Sequence, residues 1–204
     1  AKVSISGRHF NAVGYGLDAR GRIDYAGARA LAHQHRPRLI ICGATAYPRT
    51  VDFAHFREIA DEVGAILLAD ISHIAGLVVA GLHPSPIDHA HLTTTCTHKQ
   101  LFGPRGGLIL SGRDADTVPP GRTRTLAETI QRAVFPLCQG APILNAIAAK
   151  ACMLALVQTP EFTGVARRIA IRHSASTGPR GHPATRPWRH HEQLFRCPHG
   201  TQRW

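Results

Sequence analysis

Asp70 closes an unbroken apolar run, Ala65-Ile66-Leu67-Leu68-Ala69, and His73 follows three residues later. A carboxylate at the mouth of a buried strand is costly unless something cationic meets it. Lys99 closes a second run, Thr93-Thr94-Thr95-Cys96-Thr97-His98. A lysine held at a strand mouth and stripped of water loses its proton more readily and becomes an amine nucleophile. Each residue alone has an ordinary reading: Asp70 as the cap of the next helix, Lys99 as a solvated surface residue. The pair is more informative. Pyridoxal phosphate requires a lysine for its Schiff base and a carboxylate that keeps its pyridine nitrogen protonated, so that the charged ring withdraws electrons from a substrate carbanion. Two strand mouths 29 residues apart can present both groups to one crevice.

The surrounding pattern supplies such mouths. A helix is predicted over 23–35, with Asp24 near its start and Pro37 beyond its end, then a short apolar strand over 39–42. Asp52 is placed to cap a helix over 53–63, in which Phe53, Phe56, Ile59, Ala60 and Val63 share one face and Gly64 follows the end. The run 65–69 reads as a strand covered on both faces. A further strand is predicted over 91–97, another over 107–110 after a Gly/Pro-rich loop, and a long apolar helix over 143–157. Helix and strand in alternation predict an α/β fold with a parallel sheet, whose ligands lie at the carboxyl ends of the strands.

Composition narrows the classes. The formal net charge is +11, but only three cations are lysine (Lys2, Lys99 and Lys150), a bias that reads as GC-rich coding rather than as a binding surface. The arginines lie singly along the chain, so charge alone supports only salt-dependent, non-specific binding, and no specific nucleic-acid partner is expected. Five cysteines without a C-x-x-C spacing argue against a disulfide framework and a zinc ribbon. His33-x-His35, His89-x-His91, His190-His191 and Cys197-Pro198-His199 lack a tetrahedral ligand spacing, so no metal is expected. No apolar run approaches the ~18 residues that span a bilayer, and no basic-plus-hydrophobic leader is visible. A reduced, cytoplasmic protein without a membrane partner is the expectation. Residues 173–204 carry five Arg, five His, four Pro and both Trp with no apolar period, and are expected to form a poorly ordered tail.

Several segments, in order, resemble serine hydroxymethyltransferase. They are Ser6-Gly7-Arg8, Tyr15-Gly16-Leu17-Asp18, Gly43-Ala44-Thr45-Ala46-Tyr47-Pro48 and Ala69-Asp70-Ile71-Ser72-His73-Ile74-Ala75-Gly76-Leu77-Val78. Thr93 to Lys99 with Gly103-Pro104-Arg105-Gly106-Gly107, and then Val134-Phe135-Pro136, complete the set. The likeness runs from about residue 3 to about 172, and the Thr-His-Lys before Gly-Pro-Arg-Gly-Gly is its most specific part. It implies a fold-type I pyridoxal-phosphate large domain of the aspartate aminotransferase type. Residues 1–135 would be its cofactor-binding portion, 136–172 a phosphate loop and inter-domain helix, and 173–204 a non-homologous tail. It implies that Lys99 carries the cofactor, that Asp70 faces the pyridine nitrogen, and that Thr45 and His73 lie near the phenolic oxygen. His98 would influence substrate choice, Gly140 and Ala141 would offer backbone N–H groups to the phosphate of a partner in a homodimer, and Arg105 would serve packing or charge balance. The implied reaction interconverts serine and glycine and moves the one-carbon unit to tetrahydrofolate.

The chain also departs from that pattern. Cys96 stands where threonine is usual, Leu137-Cys138 where a Gly-rich turn is usual, and Asn145 where histidine is usual; 114–124 reads as a Pro- and Arg-rich insertion. The chain opens on Ala1, and the family's N-terminal phosphate-binding segment and its C-terminal carboxylate-binding domain do not appear. The expectation is therefore an inactive or impaired central fragment, with 173–204 read from a shifted frame. Two alternatives stand beside this: another pyridoxal-phosphate aldolase of the threonine aldolase type, or a degenerate fragment without activity.

Overall fold

The computed structural model describes residues 5–119, 121–176 and 192–196. A short helix α1 (Ile5–His9) and strand β1 (Asn11–Tyr15) lead into α2 (Tyr25–His35), β2 (Leu39–Cys42), α3 (Phe53–Val63) and β3 (Ile66–Asp70). Then follow α4 (Ala75–Val79), β4 (Leu92–Cys96), β5 (Gly107–Leu110) and α5 (Leu126–Arg132). An irregular helical segment, Ala133–Cys138, is broken at Phe135, whose extended backbone precedes Pro136. The helices α6 (Leu144–Leu156) and α7 (Pro160–Ser176) and the strand β6 (Glu192–Arg196) complete the order.

The caps fall where their residue types dictate. Asp24 accepts the Gly27 N–H at 2.9 Å to open α2, and Asp52 accepts the His55 N–H at 3.0 Å to open α3. Gly64 closes α3 with a left-handed φ of 68° that costs glycine little. All five residues of the predicted α3 stripe are buried, and burying each large apolar side chain contributes roughly 1.5–3 kcal/mol. The observed helices 25–35 and 144–156 fall inside the predicted spans. Ile23, expected in the first of these, instead pairs with Leu17 in an isolated bridge.

The six strands form one sheet in the order β1-β6-β2-β3-β4-β5. It is mixed, not wholly parallel as the alternation predicted: β2, β3 and β4 run parallel, whereas β5 is antiparallel to β4. The physical reason is the connection. Parallel strands need a crossover of a dozen or more residues, and the ten between Cys96 and Gly107 carry no helix to make one, so the chain reverses. In the stretch expected to be a poorly ordered tail, α7 continues through Ser176 and Glu192–Arg196 pairs antiparallel with both β1 and β2. The rest of that stretch, 177–191 and 197–204, lies outside the described residues.

In β3, Leu67 and Ala69 are fully buried and Ile66 and Leu68 half-buried, so both faces of the strand are covered until it ends at the exposed Asp70. Helices α2 and α3 pack on each other, α2 against β1 and α3 against β2 and β3, while α4 packs on α7. Asp114, in the predicted insertion, is buried and paired with Arg57 of α3. No helix among the described residues is long and apolar enough to cross a membrane.

Candidate active site

The parallel strands β2, β3 and β4 deliver their carboxyl ends to one edge, which gathers much of the predicted chemistry. At the β2 end, Gly43 has φ 136°, a value few side chains tolerate. A Cβ there would fall 2.1 Å from the Asp70 carbonyl oxygen. The loop after β2 therefore packs directly on the last residue of β3.

Asp70 does not cap the next helix. The N-cap of α4 is Ile74, which makes no side-chain capping bond. The Asp70 carboxylate instead accepts the Ser72 N–H at 2.9 Å, a local turn that holds it at the strand mouth. The Ser72 hydroxyl in turn accepts the Cys96 N–H at 3.0 Å. His73, one residue on, is half-buried. Its Nε2 lies 2.6 Å from Lys99 Nζ. With the lysine donating, Nε2 accepts and the proton of the neutral ring resides on Nδ1. Desolvation by burial is the main cause that lowers the His73 pKa below its ordinary value; the Lys99 charge lowers it further, and Asp70 acts in the opposite direction. Asp70 and Lys99 thus both act electrostatically on the same imidazole. Lys99 is half-buried, not a fully solvated surface residue.

The loop after β4 is tied at several points. The buried Thr97 hydroxyl lies between the carbonyl oxygens of Pro104 and Gly106. A Cβ at Gly103 would meet Met153 Sδ at 2.5 Å, so α6 packs closely on this loop. Gln100 accepts the Gly76 N–H at 3.1 Å, which joins the loop to α4. His98 is half-buried, and its Nδ1 is buried without a hydrogen-bond partner.

The other predicted residues are placed differently. Thr45 is exposed in the loop that follows Gly43. Arg105 is exposed. Gly140 and Ala141 are exposed between Ala133–Cys138 and α6, with open space around Gly140. No hydrogen bond or ion pair joins them to Lys99, Asp70 or His73 among the described residues. Two weak metal candidates have other partners: His33 bonds Glu62 at 2.8 Å, and His91 accepts the Leu67 N–H at 3.0 Å. Sequence reasoning missed the roles of Ser72 and Gln100. Each bonds a residue 24 positions away, and no local pattern marks such a pairing.

The pair of a half-buried lysine and a neutral histidine beside a strand-end carboxylate suits a carbonyl-bearing pyridine cofactor: an amine to attack the carbonyl, an imidazole able to accept a proton, and an anion for a ring nitrogen. Comparison with known proteins points to one family. The family model for serine hydroxymethyltransferase matches residues 1–176. A protein of Chromohalobacter salexigens named serine hydroxymethyltransferase is 48% identical over 178 residues, 87% of this chain and 40% of that protein. One of the same name from Campylobacter jejuni subsp. doylei is 49% identical over 169 residues, 83% of this chain and 38% of that protein. The chain spans about 40% of the length of these curated relatives. With a family match over most of its length and relatives at nearly half identity, the chain belongs to the serine hydroxymethyltransferase family.

Proposed function

We propose that this chain carries the lysine-bearing part of a fold-type I pyridoxal-phosphate site, and that the whole protein interconverts serine and glycine with transfer of the one-carbon unit to tetrahydrofolate. The observation that carries the reading is the 2.6 Å contact between Lys99 Nζ and His73 Nε2 at the strand edge that Asp70 also occupies. When bound, the cofactor supplies an electron sink for bond cleavage next to the substrate amine. Lys99 supplies the amine that holds it. His73 Nε2, 2.6 Å from Lys99 Nζ, would be the acceptor for the proton that the lysine would give up before its amine could hold the cofactor. Asp70, fixed by the Ser72 N–H, would meet the pyridine nitrogen and favour its protonated form. Thr45, in the loop after β2, would lie near the cofactor's phenolic oxygen, and His98, in the loop after β4, would influence substrate choice. Gly140 and Ala141, with open backbone, serve the phosphate of a second copy in a homodimer. A cytoplasmic setting belongs to the same reading.

Positioning groups of this kind are each worth on the order of 10²-fold in rate. The chain spans about 40% of the length of its curated relatives, and we expect little or no transferase turnover from these 204 residues by themselves. The test is to add pyridoxal phosphate and record the visible absorption of lysine-bound pyridoxal. The band is expected with the parent chain and lost in Lys99→Ala; an identical band in the variant would refute Lys99 as the attachment point. Cleavage of threonine in preference to serine plus tetrahydrofolate would instead favour an aldolase of the threonine type.

A further inference from the structure

The parallel pairing of β3 with β4 ends at Asp70↔Thr94, followed by one more bond from the Ile71 N–H to the Thr94 carbonyl oxygen at 2.9 Å. Beyond this the two chains part: β3 turns into residues 71–74, while β4 runs on to Cys96. The next N–H on that side of β4 belongs to Cys96, and no backbone carbonyl of β3 remains to receive it. Ser72 fills the gap, accepting the Cys96 N–H on its hydroxyl at 3.0 Å. The Cys96 thiol reaches the Ser72 carbonyl oxygen at 3.8 Å, a weak second contact. Ser72 also gives its own N–H to Asp70 at 2.9 Å. One side of this clasp leads within one residue to His73, the other within three residues to Lys99. The 2.6 Å His73–Lys99 contact therefore spans two segments that continuous sheet no longer joins.

We infer that Ser72 is a positioning residue: its hydroxyl substitutes for the missing strand carbonyl and sets the separation of His73 from Lys99. The inference rests on the function proposed above only for its catalytic meaning, since the geometry concerns this chain's own side chains. Removing the hydroxyl leaves the Cys96 N–H half-buried without its acceptor and frees the 71–74 turn to move off β4. His73 then gains water and loses proximity to the Lys99 charge. Both changes raise its titration midpoint, because burial and that charge are what lower it. Asp70, the other charged group acting on the ring, has the opposite effect.

The test follows the His73 imidazole by NMR through a pH titration of the 204-residue chain, with the resonance assigned by its loss in His73→Gln. Ser72→Ala is expected to shift the midpoint upward, toward the ordinary histidine value. Ser72→Thr, which keeps the hydroxyl, is expected to restore the parent value. In a Lys99→Ala background, Ser72→Ala is expected to move the midpoint by distinctly less. An unchanged His73 midpoint in Ser72→Ala, with only the unfolding temperature lowered, would reduce Ser72 to a structural residue and overturn the inference. So would failure of Ser72→Thr to restore it, or an undiminished shift without Lys99. These readouts need no cofactor. A parent chain that gives no visible band with pyridoxal phosphate would sink the proposed function and leave the clasp standing.

Discussion

Two single residues decide how the strand ends meet. Gly43 has to be glycine because its φ of 136° and its approach to the Asp70 carbonyl leave no room for a Cβ. Gly43→Ala should therefore destabilise the chain by about 2 kcal/mol or more, the sum of backbone strain and a contact that only movement of β2 or β3 relieves. Chemical denaturation would measure it, and a loss well under 1 kcal/mol would mean the loop shifts freely. His73 shows the complementary case. Its residue type and spacing from Asp70 are visible in the sequence, but its protonation state is set by burial and by a lysine 26 positions away.

Among the elements, α3 is the hub. Its apolar stripe, Asp52 cap and Gly64 end are all readable from local spacing, and the helix observed is the one predicted. What spacing does not reveal is the use of its polar face. Arg57 bonds Asp61 one turn along, the His89 carbonyl oxygen at 3.1 Å, and the buried Asp114 carboxylate. Burial pushes the Asp114 carboxyl up, but the hydrogen bond and charge of Arg57, with His91 and Arg113, more than offset it and leave its pKa lowered. The predicted insertion is thus anchored to α3 at its first residue. Removing one partner of a buried ion pair leaves the other uncompensated, so Asp114→Ala should cost about 3 kcal/mol. The measurement is the equilibrium unfolding free energy, with the double variant Arg57→Met, Asp114→Ala recovering part of the loss. A single variant as stable as the parent would exclude the anchoring role.

At the scale of the whole molecule, two half-buried histidines make the fold acid-sensitive. His83 accepts the Val51 N–H on Nε2 at 3.2 Å, its Nδ1 directed to the Pro84 carbonyl oxygen at 2.9 Å. His91 accepts the Leu67 N–H on Nδ1. A protonated ring nitrogen cannot accept, so protonating either ring breaks a bond to the backbone. Burial is the largest cause that lowers both below the ordinary 6.5, and His73 is lowered likewise. As pH falls below about 6.5 the unfolded chain takes up these protons first. Stability is then full above that value and declines as the pH drops toward the depressed native values, before the carboxylates begin to protonate near 4. Denaturant midpoints at pH 7.5 and 5 should differ in that direction, and His83→Gln with His91→Gln should flatten the dependence. A slope unaltered in the double variant would assign it elsewhere. The same scale holds a large apolar surface: Leu137, Ile143 and Leu144 are each about 70% exposed, and Met153 is the only fully buried residue of α6. A surface of this kind marks a contact with further protein, in keeping with the proposed homodimer.

The sequence by itself determined which residues could do chemistry and where regular structure would form. Asp70 and Lys99 end apolar or Thr-rich runs, and α3 follows from local spacing and caps, because such features depend on neighbours within a few residues. Only the tertiary structure decided how those pieces face one another. It made β5 antiparallel through the short connection after Cys96, and set Glu192–Arg196 between β1 and β2. It also pressed Gly43 onto Asp70 and clasped Ser72 to Cys96. Those outcomes rest on contacts between residues 11 or more positions apart, whose partners are chosen by strand order and register rather than by any local period.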